Sequence, residues 1–391
     1  MNYFNTHTHI FNVPAVPDAF ITNYQFPQFV SKIIRSAVNK KWLRKVLLGM
    51  LKAVPFSVGG VQLRRYAALV EVAVNKYQDE VFETLIANYP AHARFVVLTM
   101  NFDYMTGEAP QGNYNRYSTQ LHEVLEVKKK YEHRLLPFLF IDPRMGEEAC
   151  LQQLHYYFDP AINRGVAGIK LYPSLGYYPF HPAMEKVYAF AEEHQIPIIT
   201  HANKNGGAYF SGRFTPQQMS YYSFNPTPVT ADYLNSQLQP FPEKAGARTY
   251  ANIMMHPLTY VDVLEKFPRL KLCLAHFGGS DEVLAQDVTG DKYDKYNWTR
   301  TIKELMRKYE NVYTDVSFML VNKNANEQVL KDMADTSLNR KILFGTDFFM
   351  TTPHDTDEVL TRHFFDILAP YESQLVEENP TVFLRSDFFK P

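Results

Sequence analysis

Eight short apolar runs, separated by amphipathic stretches, constrain this sequence more than any other feature. They lie at roughly Tyr3 to His9, Phe95 to Met100, Leu135 to Ile141, Val166 to Tyr172, Pro197 to His201, Leu270 to His276, Val312 to Val316 and Ile342 to Asp347. A strand covered on both faces loses the alternation of a half-exposed one, so these nearly continuous runs predict buried parallel strands. Between them, Lys76 to Tyr89, Thr119 to Tyr131, Glu147 to Phe158, Ala183 to His194, Tyr260 to Phe267 and Thr299 to Tyr309 carry apolar residues at three- and four-residue spacing. That spacing predicts helices with one buried face. Strand then helix, eight times, predicts an α/β fold of the (β/α)8 TIM barrel type. A doubly wound open sheet competes; the count of eight and the polar residues at the strand ends favour the barrel.

The 391 residues are read as a single barrel domain over 1–391, with two connections too long for simple loops. Residues 10–75 follow the first strand and include the basic stretch SKIIRSAVNKKWLRKVLLGMLK; residues 203–256 follow the fifth and are rich in Pro, Tyr, Asn and Gln. Both emerge at the C-terminal face, where barrel active sites lie. They are expected to cap the site, with surface insertions for oligomer contacts as the alternative.

A net charge of −1 supplies no basic field, so nucleic acid is not an expected partner. No run of 18 apolar residues occurs, so no membrane span is expected. The N-terminal MNYFNTHTHIFN lacks the pattern of a signal peptide. Cys150 and Cys273 each fall in a stretch read as buried, which argues against a disulfide framework. A cytoplasmic protein acting on a small molecule, assembled as a homodimer, is the expectation.

The polar residues at the strand ends carry the chemistry. His7 and His9, two apart on one strand, point to the same side and reach one cation. His201 ends the fifth run, His276 the sixth and Asp347 the eighth. A carboxylate at the end of a buried strand is costly unless paired or metal-bound. Imidazole and carboxylate donors suit Zn²⁺, Fe²⁺, Mn²⁺ or Ni²⁺. His7, His9, His201 and Asp347 with one open position fit a catalytic zinc, which lowers the pKa of a water toward neutrality. His276 is the candidate proton carrier, or the ligand of a second ion. Lys170, at the end of an otherwise apolar fourth strand, has three readings: carboxylated and bridging two ions, a free ammonium pairing with substrate or Asp347, or a structural side chain reaching the mouth. Asp315 either supports a ligand histidine from behind or caps the following loop. Arg144 is a candidate fork for a substrate carboxylate, against an ordinary salt bridge. His256 is read mainly as a turn or helix-start residue.

In this order, THTH, GIKLYP, ITHA, LAHFGG and FGTD resemble the amidohydrolase superfamily. The closest branch contains aminocarboxymuconate semialdehyde decarboxylase and related metal-dependent hydrolases; HPLTYVDVLEKFPRLKLCLAHFGGSDE, NVYTDVSF and ENPTVFL are similar to it too. The resemblance spans the chain outside the two insertions. It implies a mononuclear site held by His7, His9, His201 and Asp347, with His276 in proton transfer. Binuclear members place a carboxylated lysine where Lys170 stands, so one ion is favoured and two stay open.

Three functions are compatible with these residues. The first is a metal-dependent hydrolase acting on the carbonyl of an amide, lactone or ester, with Asp347 or His276 moving the proton. The second is a non-oxidative decarboxylase of an unsaturated or aromatic acid, with Lys170 or an arginine holding the carboxylate. The third is an inactive barrel kept as a binding protein, which predicts loss of ligands that this sequence retains.

Overall fold

The computed structural model describes residues 2–23, 32, 36, 70–75, 77–107, 116–162, 164–221, 224–288 and 295–391. Eight strands follow the eight apolar runs: β1 (Tyr3–Thr8), β2 (Ala93–Leu98), β3 (Leu135–Phe140), β4 (Gly168–Leu171), β5 (Ile198–Asn203), β6 (Leu272–Gly278), β7 (Val312–Asp315) and β8 (Ile342–Leu343). They lie in sequence order and each pairs with the next in parallel. The sheet closes where the Thr6 amide donates to the Phe344 carbonyl (2.9 Å) and the Asp347 amide to the His7 carbonyl (2.9 Å). The architecture is therefore the closed barrel and not the open sheet.

Two apolar layers hold it. Inside, Phe4, Leu98, Phe138, Ile199, Cys273, Tyr313 and Leu343 fill the lumen, joined by Phe383 and Leu384 of the C-terminal helix Asn379–Leu384. Outside, the strands pack against helices through residues such as Phe82, Leu121, Leu154, Val187, Ile302 and Phe364. The helices carry their own start and stop signals. Trp298–Lys308 begins with the Asn297 side chain accepting from the Arg300 amide and ends in Arg307 and Lys308, which offset the negative end of its dipole.

β8 stops at Leu343 rather than at Asp347. Beyond it the chain bonds β1 and, through the Phe344 amide, the Leu375 carbonyl; Gly345 sits against His7, and Asp347 takes a left-handed φ of 60° that ends extended geometry. The helices Pro228–Leu238 and Ala247–Met255 within 203–256 have no counterpart among the helices expected from spacing. With Met219 and Tyr221 they build a satellite core against Tyr178. The basic stretch expected in 10–75 lies outside the described residues, apart from residues 32 and 36. Among the described residues no helix is long and apolar enough to cross a membrane.

Candidate metal centre

Strand alternation by itself would not bring these side chains together. On β1, Phe4 points into the lumen, so a regular strand would turn His7 and His9 outward. The pairing with β2 slips between Asn5 and Thr8, placing one extra residue on β1. Such an irregularity reverses the facing of the residues beyond it. The Asn5 side chain pins it, accepting from the His7 amide (3.3 Å) and the Thr346 amide (3.2 Å) while donating to Thr346 Oγ1 (2.9 Å) and the Tyr89 hydroxyl (3.0 Å). β6 uses a second device. Cys273 and Ala275 face the lumen, and left-handed φ values at His276 (66°) and Phe277 (51°) turn the His276 ring inward as well.

Three ligand atoms gather at the mouth. Nε2 of His9 lies 3.2 Å from Asp347 Oδ1, and Nε2 of His7 lies 3.6 Å from the same oxygen. Their other nitrogens face acceptors: His7 Nδ1 meets Asp315 Oδ2 at 2.9 Å, and His9 Nδ1 meets the Leu98 carbonyl at 3.0 Å. Each Nδ1 therefore carries the hydrogen, and the neutral His7 ring offers an Nε2 lone pair toward Asp347. A lone pair facing a carboxylate is repulsive unless a cation stands between them. His7 Nε2 is also buried with no hydrogen-bond partner among the described residues. The donor set thus fits a divalent cation held by His7, His9 and Asp347.

The electrostatics agree. Burial pushes the His7 pKa down to about 4, against the pull of Asp315, so the ring is neutral and ready to ligate at neutral pH. Burial would raise Asp347, but the hydrogen bond with His9 and the neighbouring imidazoles of His7 and His276 hold it below the ordinary carboxylate range. Asp315 is likewise held far below that range, chiefly by His7.

His276 lies beside this cluster, its ring centroid 4.7 Å from that of His7. Its Nε2 is 2.9 Å from His201 Nδ1, while His201 Nε2 faces the Gly206 carbonyl at 3.3 Å. His201 is thus at the mouth, but both its nitrogens turn to other partners than Asp347. Lys170 is fully buried; its Nζ has no hydrogen-bond partner among the described residues and stands 5.4 Å from the Tyr172 ring centroid. Burial lowers its pKa to about 8, with Asp347 and Asp315 pulling the other way. Asp315 does stand behind His7, and its Oδ1 also accepts from the His276 amide (2.9 Å).

Arg144 is engaged elsewhere. Its guanidinium binds Asp142 and donates to the carbonyls of Tyr104 (3.0 Å) and Leu175 (2.6 Å), away from the residues lining the cavity. His256 starts a 3-10 turn, its ring accepting from the Leu258 amide and packing on Tyr233. Sequence reasoning overlooked Asn5 and Ser317, small polar residues with no periodic signal. It also overlooked the apolar walls. A cavity of about 250 Å³ opens on His9, His201 and Asp347, walled by Phe11, Phe20, Met100, Phe102, Phe318 and Met350. Among the described residues its lining contains no lysine or arginine.

A family model described as amidohydrolase matches residues 89–377. The fold resembles a 5-carboxyvanillate decarboxylase from Novosphingobium aromaticivorans, solved with bound manganese, at 13% identity, with 98% of this chain and 97% of that chain covered and a TM-score of 0.54. It also resembles a 2,6-dihydroxybenzoate decarboxylase from Rhizobium (13% identity, 98% of each chain, TM-score 0.50). An uncharacterized TIM-barrel protein from Bordetella bronchiseptica is similar to the same degree (16% identity, 98% of each chain, TM-score 0.50). Comparison with curated proteins gives no match. The family match extends well past half of the sequence: this chain belongs to the amidohydrolase family of metal-dependent enzymes.

Proposed function

We propose that this protein is a metal-dependent hydrolase acting on the carbonyl of a small, largely apolar amide, lactone or ester. The observation that carries the reading is the meeting of His7, His9 and Asp347 ligand atoms beside a cavity with aromatic walls. One zinc ion is the proposed occupant, with His201 as the fourth ligand. When bound, such a cation supplies Lewis acidity and makes a water acidic enough to react at neutral pH. The chain's own groups do the rest. His276, whose Nε2 is in contact with His201 Nδ1, receives a proton and passes it to the leaving group. Asp347, held ionised, accepts at its carboxylate. The phenylalanine walls exclude water and hold the apolar body of the substrate. Lys170 is taken as a free ammonium that balances Asp347 and Asp315.

Non-oxidative decarboxylation is the second reading. Flat aromatic walls suit a ring, and His276 Nε2 is placed to deliver a proton to carbon. Two of the fold relatives are decarboxylases of aromatic acids. The zinc-loaded and manganese-loaded protein would be given aryl esters, lactones, amides and aromatic acids, with products followed by mass spectrometry and carbon dioxide trapping. Hydrolysis lost in His7→Ala supports the first reading. Carbon dioxide without hydrolysis products replaces it with the second, and no turnover and no bound metal would sink both. A homodimer in the cytoplasm, where two unpaired buried cysteines are at home, completes the proposal; light scattering measures the assembly.

A further inference from the structure

We propose that Ser317, on the turn after β7, is a positioning residue whose hydroxyl fixes which nitrogens His7 and His276 offer to the barrel mouth. The proposal rests on the reading of His7 as a ligand and His276 as the proton carrier.

The argument is a count of hydrogens. Ser317 is fully buried. Its hydroxyl donates to Asp315 Oδ1 in a short hydrogen bond. That oxygen also accepts from the His276 amide (2.9 Å) and the Ser317 amide (3.0 Å), so Asp315 is an acceptor and has no hydrogen to return. With its single hydrogen committed, Ser317 Oγ can only accept. Two imidazoles meet it: His276 Nδ1 at 2.8 Å and His7 Nδ1 at 3.1 Å. The Ser317 carbonyl, another pure acceptor, lies 3.1 Å from His276 Nδ1. Both rings are thereby held with hydrogen on Nδ1, which leaves a lone pair on Nε2; that of His276 faces His201 Nδ1 at 2.9 Å and accepts from it. For His7 that lone pair belongs to the cation; for His276 it is the basic nitrogen. One hydroxyl thus couples the ligand ring to the proton-carrying ring, with Asp315 as the common anchor.

Without the hydroxyl, His7 keeps Asp315 Oδ2 and His276 keeps the Ser317 carbonyl, so the effect is graded. Full-length Ser317→Ala, Ser317→Cys and Ser317→Thr would be compared with the unchanged protein. Two readouts are used: competition for Zn²⁺ against a chelator, and ¹⁵N NMR of the histidine rings, with His276→Asn assigning the resonances. Alanine and cysteine are expected to weaken metal binding about 10-fold or more. They should also shift the His276 Nδ1–H resonance, which loses its shorter acceptor and keeps the Ser317 carbonyl. Threonine, which keeps the hydroxyl, should preserve both. Cysteine fills the space of serine, so a cysteine variant indistinguishable from the unchanged protein would overturn the proposal. An alanine variant with unaltered affinity and resonances would overturn it too. If alanine does not fold, cysteine decides. If the unchanged protein binds no Zn²⁺, the ligand reading falls, while the His276 resonances still test Ser317.

Discussion

At the scale of the residue, small polar side chains govern where the large ligands point. Asn5 supplies two acceptor contacts and two donor contacts at the slip in β1, and without it nothing pins the facing of His7. Asn5→Ala is expected to cost about 1–3 kcal/mol of stability, from buried groups left unpaired. It should also weaken metal binding, measured by denaturation and chelator competition; unchanged metal affinity would remove Asn5 from the account. Behind it stands Asp357, whose Oδ2 accepts from the Tyr89 and Thr346 hydroxyls. Burial raises its pKa to about 6 from the ordinary 3.8. The folded state therefore holds this proton more tightly than the unfolded chain does. The stability it contributes is fully present below about 3.8 and is lost as the pH rises through about 6, by about 3 kcal/mol at most. Melting curves of Asp357→Asn, which cannot ionise, should fall less between about pH 4.5 and 7 than those of the unchanged protein. Parallel pH profiles would refute this.

At the scale of the element, the ends of the strands matter more than their middles. Gly345 lets the chain after β8 lie directly on β1: a Cβ there would stand 2.7 Å from His7 Cβ and 3.1 Å from its amide nitrogen. Both neighbours are fixed, since the Asp347 amide bonds the His7 carbonyl. Gly345→Ala is therefore expected to displace His7 and lower metal affinity without altering any ligand, with about 1–3 kcal/mol of destabilisation from overpacking. Metal titration of that variant at wild-type affinity would show that the two strands can separate freely. The sequence marked all eight strands because burial on both faces makes apolar runs. It marked the candidate ligands because polar residues interrupt those runs at one end. It left the helices of 203–256 unmarked, since their apolar residues pack on Tyr178 and one another in a small satellite core.

At the scale of the whole molecule, the two ends of the barrel carry different duties. Phe383 and Leu384 join the lumen core at the end away from the ligands, and Lys271 fastens that segment by donating to the carbonyls of Val382 (3.1 Å) and Arg385 (2.6 Å). Phe383→Ala should cost about 3–5 kcal/mol in denaturant unfolding while the folded protein retains its metal affinity. Loss of metal binding in the folded variant would mean the ends are coupled. The separation comes from the fold: strand ends that face solvent can be exchanged for chemistry, whereas the lumen tolerates little change in volume.

The sequence alone determined the barrel, the end of it that holds the chemistry, and the candidate ligands, because strand burial and interrupted apolar runs are local properties of the chain. Tertiary structure decided which way those ligands face. By simple alternation from Phe4 and Ala275, His7, His9 and His276 would have pointed out of the lumen. A slipped residue on β1 and left-handed backbone at His276 turned them in, and Asn5, Asp315 and Ser317 hold them there. The contact between His7 and Asp315 joins residues 308 positions apart, and no local pattern in a chain records a partner that only closure of the barrel brings near.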